Sequence, residues 1–259
     1  MLELCVLSSG SKGNATYVGD GETAILVDDG LSGRELARRM AAAGLDEGKL
    51  AALCLTHEHV DHLHGVRVLK KKRPDLALYC NAATHDGMKN AADRALAWTH
   101  FIDCRPFAIG TLTVTPFPVP HDAAAAVGFT VESGGTKVAI ATDLGEPTPT
   151  VEAYLAGSDA IVLESNHDEY RLAMCNRPWQ TKQRIKGRSG HLSNDQAADL
   201  LAILDTRRTQ EVFLAHISDE CNTPEEVLET IGRTLKKAGK SLSLKVTSAS
   251  CASALCRFG

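Results

Sequence analysis

Ala51-Ala52-Leu53-Cys54-Leu55-Thr56-His57-Glu58-His59-Val60-Asp61-His62 is the stretch on which the reading of this chain turns. Its first half is a short apolar run, too brief for a helix and of the kind found in a strand buried on both faces. Its second half therefore sits at the carboxyl end of that strand. There His57, His59 and His62 crowd three imidazoles next to the carboxylate of Asp61, a density of nitrogen and oxygen donors that suits divalent metal ions. One ion does not easily use all four. Residues two apart in an extended segment point the same way, so His57 and His59 can grip one ion while the turn at Asp61-His62 faces a second.

On the amino-terminal side, Leu2 to Leu7, Ala15 to Val18 and Thr23 to Asp28 read as a β-meander around the turns Ser8 to Asn14 and Gly19-Asp20-Gly21. Ser32 with Glu35 suggests a capping box, and Gly44 stops the helix that it opens. On the carboxyl side, strands are expected at Leu76 to Tyr79, Leu112 to Phe117, Val127 to Glu132 and Lys137 to Thr142, the last two joined by Gly134-Gly135. A short helix from Val151 to Leu155, a strand from Ala160 to Glu164 and a polar stretch from Asn166 to Gly190 follow. Ser193 and Thr223 then cap helices running to about Leu204 and Lys237, separated by the strand Glu211 to Ala215, and Leu242 to Thr247 closes the pattern. That order fits an α/β fold, an αββα sandwich of two mixed sheets flanked by helices, better than one parallel sheet.

The composition narrows the function classes. The 259 residues, 44% of them hydrophobic, suffice for a full core, and one domain over 1–259 is expected. No run is apolar enough to span a membrane and no basic flank precedes the first apolar run, so no membrane association and a cytoplasmic location are expected. Eight cysteines without a C-x-x-C pair read as reduced core residues. A net charge of −4 argues against coating nucleic acid over the whole surface. The charge is nevertheless segregated along the chain: Arg171, Arg177, Lys182, Arg184, Lys186 and Arg188 lie in a segment with no acidic residue, together with Trp179. A basic segment with an aromatic beside a metal site is the expected footprint of a single-strand groove. By contrast, Lys70 to Arg73, at a helix end, suits dipole compensation.

T-H-E-H-V-D-H after an apolar strand resembles the signature of the metallo-β-lactamase superfamily. The resemblance implies further ligands at strand ends, and this chain offers His121, Asp143 and His216. It implies that His57, His59 and His121 hold one metal, that Asp61, His62 and His216 hold the other, and that Asp143 bridges two divalent ions, zinc or manganese. Asp28 matches the acidic residue that braces such sites. The motifs L-S-S-G-S-x-G-N at 7–14, D-x-G-L-S at 28–32, A-T-D-L-G at 141–145, E-S-N-H-D at 164–168, G-H-L-S-N at 190–194 and L-A-H-I-S at 214–218 look like the bacterial YycJ/WalJ branch. That branch implies a DNA exonuclease, 5′→3′, acting in DNA repair or replication on a single strand or a free end. Asp29 and Val60 depart from its usual residues, and Asp29 adds charge near the site.

Two metals serve acyl as well as phosphoryl hydrolysis, so other groups must discriminate. Glu164 and His191 resemble the Glu/His pair of tRNA 3′-processing ribonucleases, which implies that they protonate the leaving oxygen while Asp61 handles the nucleophile. Asn166 and His167, with Trp179, Lys182, Arg184, Lys186 and Arg188, are the candidate substrate contacts. The rival reading is a small-molecule hydrolase acting on a cyclic phosphodiester or a glutathione thioester, which would share every ligand but have no need of the basic segment.

Overall fold

The computed structural model describes residues 1–259. The first sheet is built from β1 (Leu2–Ser8), β2 (Ala15–Gly19), β3 (Ala24–Val27), β4 (Leu50–Cys54), β5 (Ala77–Cys80) and β6 (Trp98–His100). Helix α1 (Gly33–Ala42) joins β3 to β4; α2 (Val60–Leu63) and α3 (Val66–Lys72) join β4 to β5; α4 (Ala82–Gly87) and α5 (Ala91–Arg94) lead to β6. The second sheet begins with β7 (Phe107–Ile109), β8 (Leu112–Pro118), β9 (Val127–Ser133) and β10 (Thr136–Ala141). After α6 (Pro149–Leu155) come β11 (Ala160–Glu164), α7 (Glu169–Met174), α8 (Trp179–Lys186), α9 (Asn194–Ile203), β12 (Glu211–Ala215), α10 (Pro224–Lys237) and β13 (Ser243–Val246). The last strand, β14 (Cys256–Phe258), crosses back to pair with β1, so the orders are β14-β1-β2-β3-β4-β5-β6 and β13-β12-β11-β10-β9-β8-β7. Both sheets mix parallel and antiparallel neighbours, as the αββα reading requires.

Alternation along the strands explains the layering. In β1, Leu2, Leu4 and Val6 face the core between the sheets, while Cys5 and Leu7 face the layer under α1 and α3. Phe129, Val131, Val162 and Phe213 fill the inter-sheet core from the other side. A third cluster seats α6, α9 and α10 on the outer face of the second sheet through Val151, Leu201 and Ile231. Each sheet is thus covered on both faces, which is why the strands read as unbroken apolar runs. No helix is long and apolar enough to cross a membrane.

The structure departs from the sequence reading at several points, among them helices α4 and α5, which were not expected. Strands β6, β7 and β14 have three residues each, too few to carry a period, and were not foreseen. The polar stretch after Asn166 contains α7 and α8, each with one buried anchor, Leu172 and Ile185, in place of an apolar stripe. At Ser32 only half of the capping box forms: its side chain accepts from Glu35 N, but the Glu35 carboxylate is held by Arg38 and Arg39. The box at Ser193 and Gln196 is complete.

Candidate metal centre

The centre lies at the carboxyl ends of the strands, on the seam between the sheets. The loop after β4 supplies His57 and His59, and α2 supplies Asp61 and His62. The second sheet supplies His121 after β8, Asp143 after β10, Glu164 at the end of β11, His191 before α9 and His216 after β12. Three residues that close strands here, Asp28, Asp143 and His216, have φ between 54° and 62°, in the left-handed region that non-glycine residues seldom enter. Aspartate enters it more readily than most residues, so the backbone cost falls mainly on His216.

The outer nitrogens of the imidazoles are anchored. His62 Nδ1 lies 2.8 Å from the Asp28 carboxylate, and His121 Nδ1 donates to Gly190 O at 3.1 Å. Thr56 Oγ1 donates to Asp28 at 2.9 Å and accepts from His57 Nδ1 at 3.0 Å, a tautomer that the network assigns. His216 Nδ1 lies 3.1 Å from Glu164 Oε1. The inner atoms converge: His62 Nε2 is 3.1 Å, His216 Nε2 3.5 Å and His121 Nε2 3.7 Å from the Asp143 carboxylate. Ligating atoms of His57, His59 and His121 lie within 4.8 Å of one another, as do those of Asp61, His62 and His216, and Asp143 groups with His57 and His62.

Three buried atoms in this cluster lack any hydrogen-bond partner: His57 Nε2, Asp143 Oδ2 and His216 Nε2. Orphaned buried polar atoms are costly, and cations held by the two groups of ligands would satisfy all three. Burial and the surrounding imidazoles hold His57 well below the usual histidine range, and burial lowers His121, so both rings are neutral, the form that ligates metal. The residues fit a divalent metal centre.

Glu164 is fully buried and holds both sides of the site together. Its Oε1 lies 2.8 Å from His191 Nδ1, and its Oε2 accepts from Leu144 N. Burial works against charge on both partners, yet the neighbouring charges win: His191 and His216 lower Glu164 from the ordinary carboxylate value, and Glu164 raises His191 from the ordinary histidine value. His191 Nδ1 also stands 3.6 Å from Asp143. His191 lines a cavity of about 230 Å³ together with His59, Asp61, His121, Asp143 and His216.

The candidate substrate residues divide. Asn166 and Arg184 line the cavity, and so does Arg177. Asn166 also donates to His216 O at 2.7 Å, which makes it part of the scaffold. His167 is buried beside Ser193 and does not line the cavity; Trp179 is 73% exposed, and Lys182, Lys186 and Arg188 likewise lie outside the lining. The basic segment meets acids from elsewhere: Arg171 with Glu226, Arg177 with Glu220, Arg184 with Asp122, Lys186 with Glu169 and Arg188 with Glu146. The segregation seen along the sequence is thus largely neutralised in space. Lys70 and Arg73 donate to backbone carbonyls, Lys70 to Pro74 and Leu76 and Arg73 to Glu47 and Leu50.

Several residues were missed as contributors. Asn14, in the turn between β1 and β2, places Nδ2 3.0 Å from His62 Nε2, and Ser9 Oγ accepts from His216 N at 2.8 Å. Gly30 lets the chain pass against Asp61, where a Cβ would lie 1.7 Å from its carbonyl oxygen. The glycine- and serine-rich loop 8–14 was the available signal for the first two. Asp29, expected to add charge, is fully buried, accepts only Leu31 N on its carboxylate, and is pushed up to about 7 by burial.

A family model described as the Beta-lactamase superfamily domain matches residues 23–217. The chain belongs to this superfamily. It is 35% identical to an exodeoxyribonuclease YycJ of Bacillus anthracis, covering 92% of this chain and 90% of that one. It is 31% identical to an exodeoxyribonuclease WalJ of Streptococcus pneumoniae, covering 93% and 91%. Among solved structures, the metallo-β-lactamase fold protein YhfI of Bacillus subtilis matches with a TM-score of 0.71 at 14% identity, over 97% of this chain and 98% of that one. The β-lactamase superfamily member described here is a metal-dependent hydrolase.

Proposed function

We propose that this hydrolase is a two-metal phosphodiesterase that degrades DNA from an end, in the 5′→3′ direction, in DNA repair or replication. The observation that carries the reading is the His191–Glu164 pair, 2.8 Å apart beside Asp143. Phosphodiester cleavage expels an alkoxide, which needs a proton; thiolates leave without one. A histidine kept protonated by a buried carboxylate and facing the cavity is placed to give that proton. The exodeoxyribonuclease names of the two relatives support DNA as the substrate.

His57, His59 and His121 would hold one ion and Asp61, His62 and His216 the other, with Asp143 between them. Bound there, zinc or manganese would supply a water of lowered pKa and neutralise charge on the scissile phosphate. The chain's own residues do the rest. Asp61, which lines the cavity, orients the nucleophile; Glu164 fixes the imidazoles of His191 and His216; Arg184 and Asn166 meet the phosphate, Lys182, Lys186 and Arg188 extend the strand contact, Trp179 offers a face for a base, and His167 packs beside Ser193 beneath them.

One observation favours the small-molecule alternative, the pairing of nearly every cation in the basic segment with an acid. End-labelled single-stranded and duplex DNA, compared with a glutathione thioester and a cyclic phosphodiester under zinc and manganese separately, tests the reading. Stepwise shortening from one end with negligible thioester turnover is expected; turnover of the small substrates alone would overturn it.

A further inference from the structure

A second cavity of about 870 Å³ opens beside the first and shares four lining residues with it: His59, Asp61, Asp122 and Arg184. The two cavities adjoin where Arg184 of α8 meets Asp122. Their chemistry differs. Ile185 is the one hydrophobic residue lining the first cavity, whereas the second has Val60, Leu63, Ala123 and Ala124. Val60 is 72% exposed although it stands between two ligand positions, so its apolar surface has no packing partner within the fold. The cations of the second cavity are unequal as well. Arg67 is tied to Asp93 at 2.8 Å and Arg184 to Asp122, while Lys89, exposed between α4 and α5, enters no ion pair.

Resting on the exonuclease reading, we propose that this second cavity seats the sugar and base of the nucleotide flanking the scissile phosphate, and that Lys89 meets the next phosphate of the strand. The first cavity is small and polar, enough for the reacting group; the second is within the size range of a ligand pocket and adds Val60, Leu63, Ala123 and Ala124 to a polar lining. A substrate that fills both carries an anionic centre and, next to it, a flat apolar group followed by another charge. A polynucleotide has that order. On this side of the scissile phosphate the strand runs toward α4 and α5, and the α8 segment meets it on the other side.

The test compares a short end-labelled oligodeoxynucleotide with bis(p-nitrophenyl) phosphate on the metal-loaded enzyme, for Lys89→Ser and Ala124→Trp. Both positions are exposed, and Ala124 engages the fold through its backbone N–H to Glu58. In each variant the KM for the oligonucleotide rises roughly five- to ten-fold; Ala124→Trp raises that for the small diester as well, since its ring fits the same cavity, whereas Lys89→Ser leaves it unchanged and flattens the salt dependence of strand binding by about one phosphate contact. If the KM for the oligonucleotide stays at the wild-type value in either variant while DNA is still degraded, the second cavity is not a strand subsite. If the wild type cleaves the small diester and no oligonucleotide, the exonuclease reading fails and takes this inference with it.

Discussion

Asp29→Asn should stabilise the protein increasingly as pH rises. The wild-type carboxyl is fully buried, gives one oxygen to Leu31 N, and leaves Oδ2 without a partner against the backbone at Gly65. Burial, with a contribution from Asp28, lifts it from 3.8 to about 7 despite that one hydrogen bond. Below about pH 4 both folded and unfolded chains carry the proton, and the residue costs nothing electrostatically. Between about pH 4 and 7 only the unfolded chain ionises, so folding stability falls by about 1.4 kcal/mol per pH unit. The loss reaches about 4 kcal/mol above pH 7, an order-of-magnitude ceiling that water entering the site would reduce. Asparagine keeps the oxygen facing Leu31 N and cannot ionise. Denaturant unfolding of wild type and variant, at matched metal concentration and several pH values from about 5 to 8, reads the difference directly. The gap should widen up to about pH 7 and then level off. A gap that stays constant over that range would mean that Asp29 titrates like an ordinary carboxylate and that its burial is not what governs it.

Asp61→Asn and His121→Ala should abolish phosphodiester cleavage with circular dichroism unchanged, because the apolar layers and not the ligands hold the sandwich; retained turnover at normal metal content would remove that ligand from the centre. His191→Ala should slow an unactivated phosphodiester by roughly 10²–10⁴-fold and a nitrophenyl ester far less, and equal losses on both would assign it a structural or binding role. Thr56→Val removes the hydroxyl that joins Asp28 to His57, and metal affinity by competition with a chelator should fall about 10- to 100-fold although every ligand remains. Phe129→Ala, at the middle of the inter-sheet core, should cost about 3–5 kcal/mol in denaturant unfolding.

What the sequence made legible were local signals of high density. The apolar run before His57, the caps at Ser193 and Thr223 and the Gly134-Gly135 hairpin each place an element within a residue or two of where it lies. What it hid depends on partners far along the chain. Arg184 and Arg188 read as free cations until Asp122 and Glu146, some 62 and 42 residues away, are brought against them. Asp29 reads as added charge until its burial is known. Asn14 and Ser9 lie in a turn whose role becomes visible only once β1 and β2 set it against His62 and His216. Three-residue edge strands such as β14 are specified by the neighbour they pair with, and no periodicity announces them.

The left-handed backbone at Asp28, Asp143 and His216 acts as a filter on what evolution can try there. Glycine, asparagine and aspartate enter that conformation at little cost, whereas alanine or a β-branched residue adds about 1–2 kcal/mol of strain to whatever else is lost. A lineage drifting away from metal chemistry would therefore leave asparagine or glycine behind at these three strand ends, so that the fossil of an abandoned centre stays readable in the identity of its replacements. The same asymmetry makes alanine a poor control at positions 28, 143 and 216, since it confounds the missing donor with a distorted chain, and asparagine or glycine the cleaner one.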